Sequence, residues 1–214
     1  MGITISTEAL SKRYNREWIF RDLTFTFQQG KTYAITGPNG SGKSTLLQVL
    51  WGQLPSSSGK LTYKKDQTAI EVDEIYPLVS VATPYMDLID EFTLREQVEF
   101  HFKTKPIKPG YVPEQVLEAM YLEHAHKKFI ANFSSGMKQR LKLGLAFYTD
   151  TPVLFLDEPG TNLDRQALEW YLNQLNKQTS NRLVFIASNQ ADEYPRDAEI
   201  IDVMDYKQVP TKAG

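Results

Sequence analysis

Leu23, Phe25 and Phe27 alternate with polar residues, the period of a strand with one solvated face. With Gly2 to Ser6 and Trp18 to Phe20, also of β character, they predict an antiparallel β portion at the start of the chain. A run at Lys31 to Thr36 stops at a Gly/Pro/Asn cluster. Ser44 to Trp51 then carries Leu46, Leu47, Val49 and Leu50 on one helical face and stops at Gly52. From about Asp87 to Asp150 the spacing turns helical, with Leu94, Val98 and Phe102 at four-residue steps and a second stretch from Pro113 to Leu122. The connector Lys103 to Gly110, rich in Pro and Lys, reads as a solvated loop without a binding role.

Beyond that stretch, Pro152 to Leu156 is continuously apolar, as a strand buried on both faces of a parallel sheet must be. A helix from about Arg165 to Gln178 follows, with Leu168, Leu172 and Leu175 inward, and then a second buried strand at Leu183 to Ala187. Strand, helix and strand in that order predict an α/β core with a mostly parallel sheet and helices on both faces. The expected organisation is one domain over 1–214, with a helical subdomain at 87–150 inserted within it.

Charge and composition narrow the function. Lys plus Arg total 24 against 26 Asp plus Glu, a net charge of −2, which offers no electrostatic footprint for nucleic acid or anionic lipid. There is no cysteine, so disulfides, thiolate metal sites and thiol catalysis are excluded together. Met1 to Ile5 lacks the basic and apolar blocks of a signal peptide, and apolar runs such as Val153 to Leu156 are far shorter than the roughly 20 residues that span a bilayer.

Gly37-Pro38-Asn39-Gly40-Ser41-Gly42-Lys43-Ser44-Thr45 satisfies the G-x-x-x-x-G-K-[ST] pattern between a predicted strand and a predicted helix. Its glycines let successive backbone N–H groups turn toward a polyphosphate, and the helix presents its positive end to the same charge. Lys43 then neutralises the β and γ phosphates and the Ser44 hydroxyl ligates Mg²⁺. Asp157 and Glu158 end the buried strand, where the phosphate site of such a sheet lies. Alternation along a strand gives them different targets: Asp157 suits the outer shell of Mg²⁺, and Glu158 suits a general base or water-orienting group.

Two further segments narrow the choice among P-loop proteins. Phe133-Ser134-Ser135-Gly136-Met137 precedes the carboxylate strand, and Asn162-Leu163-Asp164 follows it. Here the chain resembles the ABC ATPases: the first segment keeps the serine and second glycine of their signature motif, with Ser135 for its first glycine and Met137 for its glutamine, and the second segment matches their D-loop. The resemblance extends from Tyr14, at the adenine-stacking position, to the strand ending at Ser188. It implies that Ser134, Ser135 and Gly136 at a helix N-terminus, with Asp164, complete a site for ATP held by another copy or a paired cassette. It also implies integral membrane permease subunits as partners, a place on the cytoplasmic face of the membrane, and ATP with Mg²⁺ as ligands.

The departures from the family pattern are specific. The loop that usually carries a glutamine reads Ala82-Thr83-Pro84-Tyr85-Met86, and Asn189 stands where a histidine is usual. An amide can donate to a γ-phosphate but carries no imidazolium charge. The expectation is ATP binding with slow hydrolysis. A soluble ABC ATPase that remodels ribosomes or DNA shares these motifs but usually adds a second cassette or basic arms. A degenerate cassette that holds ATP as a regulatory module is the other alternative.

Overall fold

The computed structural model describes residues 2–207. Strands β1 (Ile3–Tyr14) and β2 (Glu17–Gln28) form a long antiparallel hairpin, and β4 (Ser58–Lys65) and β5 (Thr68–Ile70) complete a sheet of order β2-β1-β4-β5. The sequence suggested two short pieces at 18–20 and 23–27. They are one strand, because Asp22 takes φ 59° and the register slips between Thr7 and Leu10 and again before Lys12. Such bulges bend a strand and break its alternation without ending it. Likewise β4 and β5 turn on Asp66 and Gln67, both at positive φ, without the glycine that usually marks such a hairpin.

The second sheet is parallel throughout, of order β6-β7-β8-β3-β9, from β3 (Thr32–Thr36), β6 (Val79–Ala82), β7 (Val153–Asp157), β8 (Leu183–Ala187) and β9 (Glu199–Asp202). Every residue of β7 and β8 is buried. Alternation divides them between two cores. Leu154, Leu156, Val184 and Ile186 join one with residues of α4 (Ser135–Tyr148) and α5 (Arg165–Gln178). Phe155 and Phe185 join the other with α1 (Lys43–Leu50) and the antiparallel sheet. There their rings stack at 4.6 Å, and Phe27 meets Phe185 at 4.9 Å. Burying an aromatic of this size stabilises the fold by roughly 2–3 kcal/mol, so the seam holds the two sheets together.

Between β6 and β7 run α2 (Leu94–Thr104), α3 (Pro113–Ala119) and α4. Thr93 and Glu96 cap α2 reciprocally: Thr93 N donates to the Glu96 carboxylate at 2.8 Å, and Glu96 N donates to the Thr93 hydroxyl at 3.3 Å. The connector at 103–110 is not simply solvated. Lys105 is buried and donates to the carbonyls of Tyr76 and Val79, while Lys108 donates to the Gln178 carbonyl at 2.7 Å. Carbonyls at element ends need partners, and a long aliphatic stem can deliver an ammonium to them through apolar surroundings. None of the described helices is long and apolar enough to cross a membrane.

Candidate nucleotide site

β3 delivers the chain into a turn in which Gly37, Gly40 and Gly42 take φ 135°, 76° and 109°, a region that favours glycine. Ser41 N donates to Pro38 O at 3.0 Å and closes the turn. α1 starts from Gly42 with neither a side-chain cap nor an acidic residue in its first turn, leaving its N–H groups and positive end free for an anion. A Cβ at Gly40 would meet nothing, whereas one at Gly42 would run into Ile19 of β2. The loop is therefore open over Asn39 and Gly40 and braced at its base by the hairpin. Lys43 is buried and turns back, donating to Gly37 O at 2.9 Å and Pro38 O at 3.4 Å. Ser41 Oγ is buried without a partner, an unmet polar atom in a cradle of this shape.

β7 brings a carboxylate to the same place. Asp157 is buried, and Ser44 Oγ donates to its Oδ1 at 3.0 Å. Desolvation pushes the Asp157 carboxyl up to about 6, against the pull of the Ser44 hydrogen bond; Glu158 adds to the rise and Lys43 opposes it. A hydroxyl and a carboxylate at the edge of a phosphate cradle are the hard oxygen donors that Mg²⁺ takes. Glu158 follows at φ 45°, a left-handed conformation for a side chain with a Cβ, its N–H donating to Ala187 O at 2.8 Å. Its side chain is partly exposed, and its Oε2 lies 3.5 Å from the Thr161 hydroxyl.

Ser134 is the N-cap of α4, its hydroxyl accepting from Met137 N at 3.2 Å, with Ser135 and Gly136 in the first turn. A Cβ on Gly136 would lie 2.9 Å from the Asn162 carbonyl, so the signature turn rests directly on the D-loop of its own chain. Asp164 caps α5 by accepting from Ala167 N at 2.8 Å. Asn189, just beyond β8, reaches Asn39 of the P-loop at 3.5 Å. Tyr14 stands at the turn end of the β1–β2 hairpin, paired with Glu17 and 45% exposed. Pro38 to Thr45, Asp157, Glu158 and Asn189 thus gather at the C-terminal edge of one sheet. Ser134 to Gly136 and Asp164 stand together at the starts of α4 and α5.

A family model described as ABC transporter matches residues 20–161. The chain belongs to this family. It is 34% identical over 170 residues to the Nod factor export ATP-binding protein I of Rhizobium johnstonii, covering 77% of this chain and 54% of that protein. It is 27% identical over 207 residues to the linearmycin resistance ATP-binding protein LnrL of Bacillus subtilis, covering 94% of this chain and 66% of that one. The ABC chain thus spans about half to two thirds of the length of these relatives. Among solved structures, an ATP binding subunit of an ABC transporter superposes with TM-score 0.80 at 23% identity, over 92% of this chain and 85% of that one. A putative ABC transporter ATP-binding protein from Pyrococcus furiosus gives 0.79 at 17% identity, over 96% and 100%. These likenesses fix the fold as the α/β architecture expected from the sequence.

Within this ABC chain, three buried polar residues around the site escaped the sequence reading. Gln139 of α4 donates to Pro159 O at 3.0 Å and lies 3.4 Å from Glu158 O. Lys142, one turn on, donates to Pro84 O at 2.7 Å and lies 3.3 Å from Thr83 O. Burial lowers the pKa of Lys142. Glu193 is buried, its carboxylate packed against Gly160. Desolvation outweighs the opposing pull of Ser188 and the Gly160 backbone and raises the Glu193 pKa. The signal was present in part: Gln139 and Lys142 stand four residues before Leu143 and Ala146, on buried positions of α4.

Proposed function

We propose that this chain binds ATP with Mg²⁺ in the loop from Gly37 to Thr45 and hydrolyses it as the ATP-binding subunit of an exporter-type transporter. The observation that carries the reading is the Ser44–Asp157 hydrogen bond, which joins the phosphate loop of β3 to the carboxylate end of β7. Lys43, released from the Gly37 and Pro38 carbonyls, reaches the β and γ phosphates. Gly40 and Gly42 offer backbone N–H groups, and Tyr14 stacks on the base. Ser44 and Asp157 would hold Mg²⁺, which would supply positive charge to the phosphate oxygens. Glu158 orients the attacking water and Asn189 donates to the terminal phosphate.

Ser134 to Gly136 lack a phosphate partner in their own chain, which supports a pair of cassettes, each completing the other's site when ATP is bound. The groove beside Thr83 to Met86 supports a membrane partner. It encloses about 630 Å³ and is lined by Trp51, Val72, Ile75, Tyr76 and Tyr85, with Tyr85 80% exposed. An apolar segment of a permease subunit seated there would move with α4 through Lys142. Both named relatives carry export or resistance titles. That, together with the absence of a membrane-spanning helix among the described residues, supports export by separate permease subunits on the cytoplasmic side.

The test is turnover by purified protein. Wild type is expected to bind millimolar ATP with Mg²⁺ and hydrolyse it. Glu158→Gln is expected to bind as tightly, lose at least about a hundredfold in kcat, and pair on ATP. A wild type that binds no nucleotide overturns the reading. Failure of an integral membrane protein to co-purify from the native membrane overturns the transport half. The absent loop glutamine and Asn189 favour a second reading, a cassette that holds ATP without turning it over; wild-type turnover indistinguishable from that of Glu158→Gln selects it.

A further inference from the structure

The loop that follows β7 is held from two sides. Gln139, only 4% exposed, spends its amide on the Pro159 and Glu158 carbonyls. On another side the Glu193 carboxylate packs so close to Gly160 that a Cβ there would overlap it. Glu158 itself has the left-handed φ of 45°. A residue with a Cβ keeps such a conformation, at a cost of about 1–3 kcal/mol, only where its surroundings over-determine it. Those surroundings are the Ala187 carbonyl accepting Glu158 N–H, the Thr161 N–H on Glu158 O at 3.1 Å, and Gln139.

Gln139 is also five residues from Ser134 on a single helix, a distance of about 7.5 Å along the axis. Gly136 of the same first turn touches Asn162 at the other end of the Glu158 loop. A shift of the signature turn therefore cannot leave the Glu158 loop unmoved.

We infer that Gln139 is the positioning residue of Glu158: its amide fixes the backbone from which the water-orienting carboxylate projects, and makes that geometry depend on the signature turn of the same chain. In a pair of cassettes, the nucleotide held by one chain would rest on the other chain's Ser134 and, through α4, set the other chain's Glu158. This rests on the ATPase reading above.

Gln139→Leu removes the amide and keeps the volume. Its kcat should fall at least about tenfold while KM for MgATP stays within about twofold, because a carboxylate displaced by less than 1 Å costs rate rather than ground-state binding. In a Glu158→Gln background the same change should alter residual turnover by less than about twofold and leave ATP-driven pairing intact, since two residues acting as one unit are not additive. Gln139→Asn, one methylene short of the carbonyls, carries the same expectation should the leucine variant fail to fold. A kcat within about twofold of wild type overturns the inference, as does a parallel rise in KM or loss of pairing, which would make Gln139 a packing residue of α4. A wild type that binds no nucleotide overturns the ATPase reading instead, and turnover that survives Glu158→Gln removes the water-orienting role of Glu158; either takes the inference with it.

Discussion

Ser44 donates its hydroxyl to Asp157 across 3.0 Å, joining two residues 113 positions apart in sequence. The bond exists because β3 and β7 end at the same edge of the parallel sheet, with β8 between them. Ser44 opens a helix and Asp157 closes a strand, so the pair unites the phosphate loop with the carboxylate strand. Ser44→Ala deletes one oxygen donor and leaves the backbone cradle as it is. The expected result, read by titration with and without Mg²⁺, is a loss of about tenfold in affinity for MgATP, with metal-free ATP affinity within about twofold of wild type. An equal loss in both titrations would place the role of Ser44 in the loop's shape rather than at the metal.

Lys142 ties α4 to the loop that lacks the usual glutamine, through the Thr83 and Pro84 carbonyls. Lys142→Met keeps the aliphatic stem and deletes the ammonium. Removing a buried charge relieves its desolvation cost while freeing two carbonyls, so the terms largely offset and global stability should change by less than about 1 kcal/mol. The local effect is larger. Amide hydrogen exchange at 85–87 should accelerate at least about tenfold, with α1 unchanged.

His101 carries a pH dependence of stability. Thr149 gives its hydroxyl proton to Leu145 O, so it accepts from His101 Nε2 at 2.9 Å, and the neutral ring is the Nε2–H tautomer. Burial, with Lys105 close by, holds the imidazole down to about 4 from its ordinary 6.5. Between those values the unfolded chain takes up a proton that the folded chain refuses. This contribution is therefore intact above pH 6.5 and is lost as the pH falls toward 4. Denaturant titrations should show wild type losing stability relative to His101→Gln over that interval, by at most about 1.4 kcal/mol per pH unit. Parallel curves for the two proteins would remove His101 as the cause.

The parts of the fold that the sequence announces are those where one physical demand dominates. β7 and β8 are legible because burial on both faces requires unbroken apolar residues, and the P-loop because its turn requires glycine at fixed steps. β4 is not, since Ser58, Gly59 and Lys60 are exposed and carry no apolar alternation. Its hairpin turns on Asp66 and Gln67, which adopt positive φ only at some cost. Lys105 and Lys108 mislead for a related reason: lysine is ordinarily a surface residue, and here unpaired carbonyls draw it inward. Gln139 and Glu193 were hidden because their importance lies in backbone atoms of a loop distant in sequence, which no spacing along the chain encodes.

Asn189 stands at the end of β8, where the family pattern has a histidine, and its amide reaches Asn39 Oδ1 at 3.5 Å, the long limit of a hydrogen bond. In the neutral amide the donor carries only a partial charge. An imidazole at the same place could donate from a ring nitrogen and, when protonated, set a full positive charge opposite the terminal phosphate as negative charge moves onto it. Asn189→His should therefore raise kcat several-fold at neutral pH, with the gain growing as the pH falls toward the ordinary imidazole value of about 6.5. Nucleotide affinity should change little, because Asn39 lies on the open part of the cradle and the loop's shape does not depend on so long a contact. Turnover equal to or below that of wild type across this pH range would mean that Asn189 already supplies all that the position contributes, and that the slow step lies elsewhere, in closure or product release.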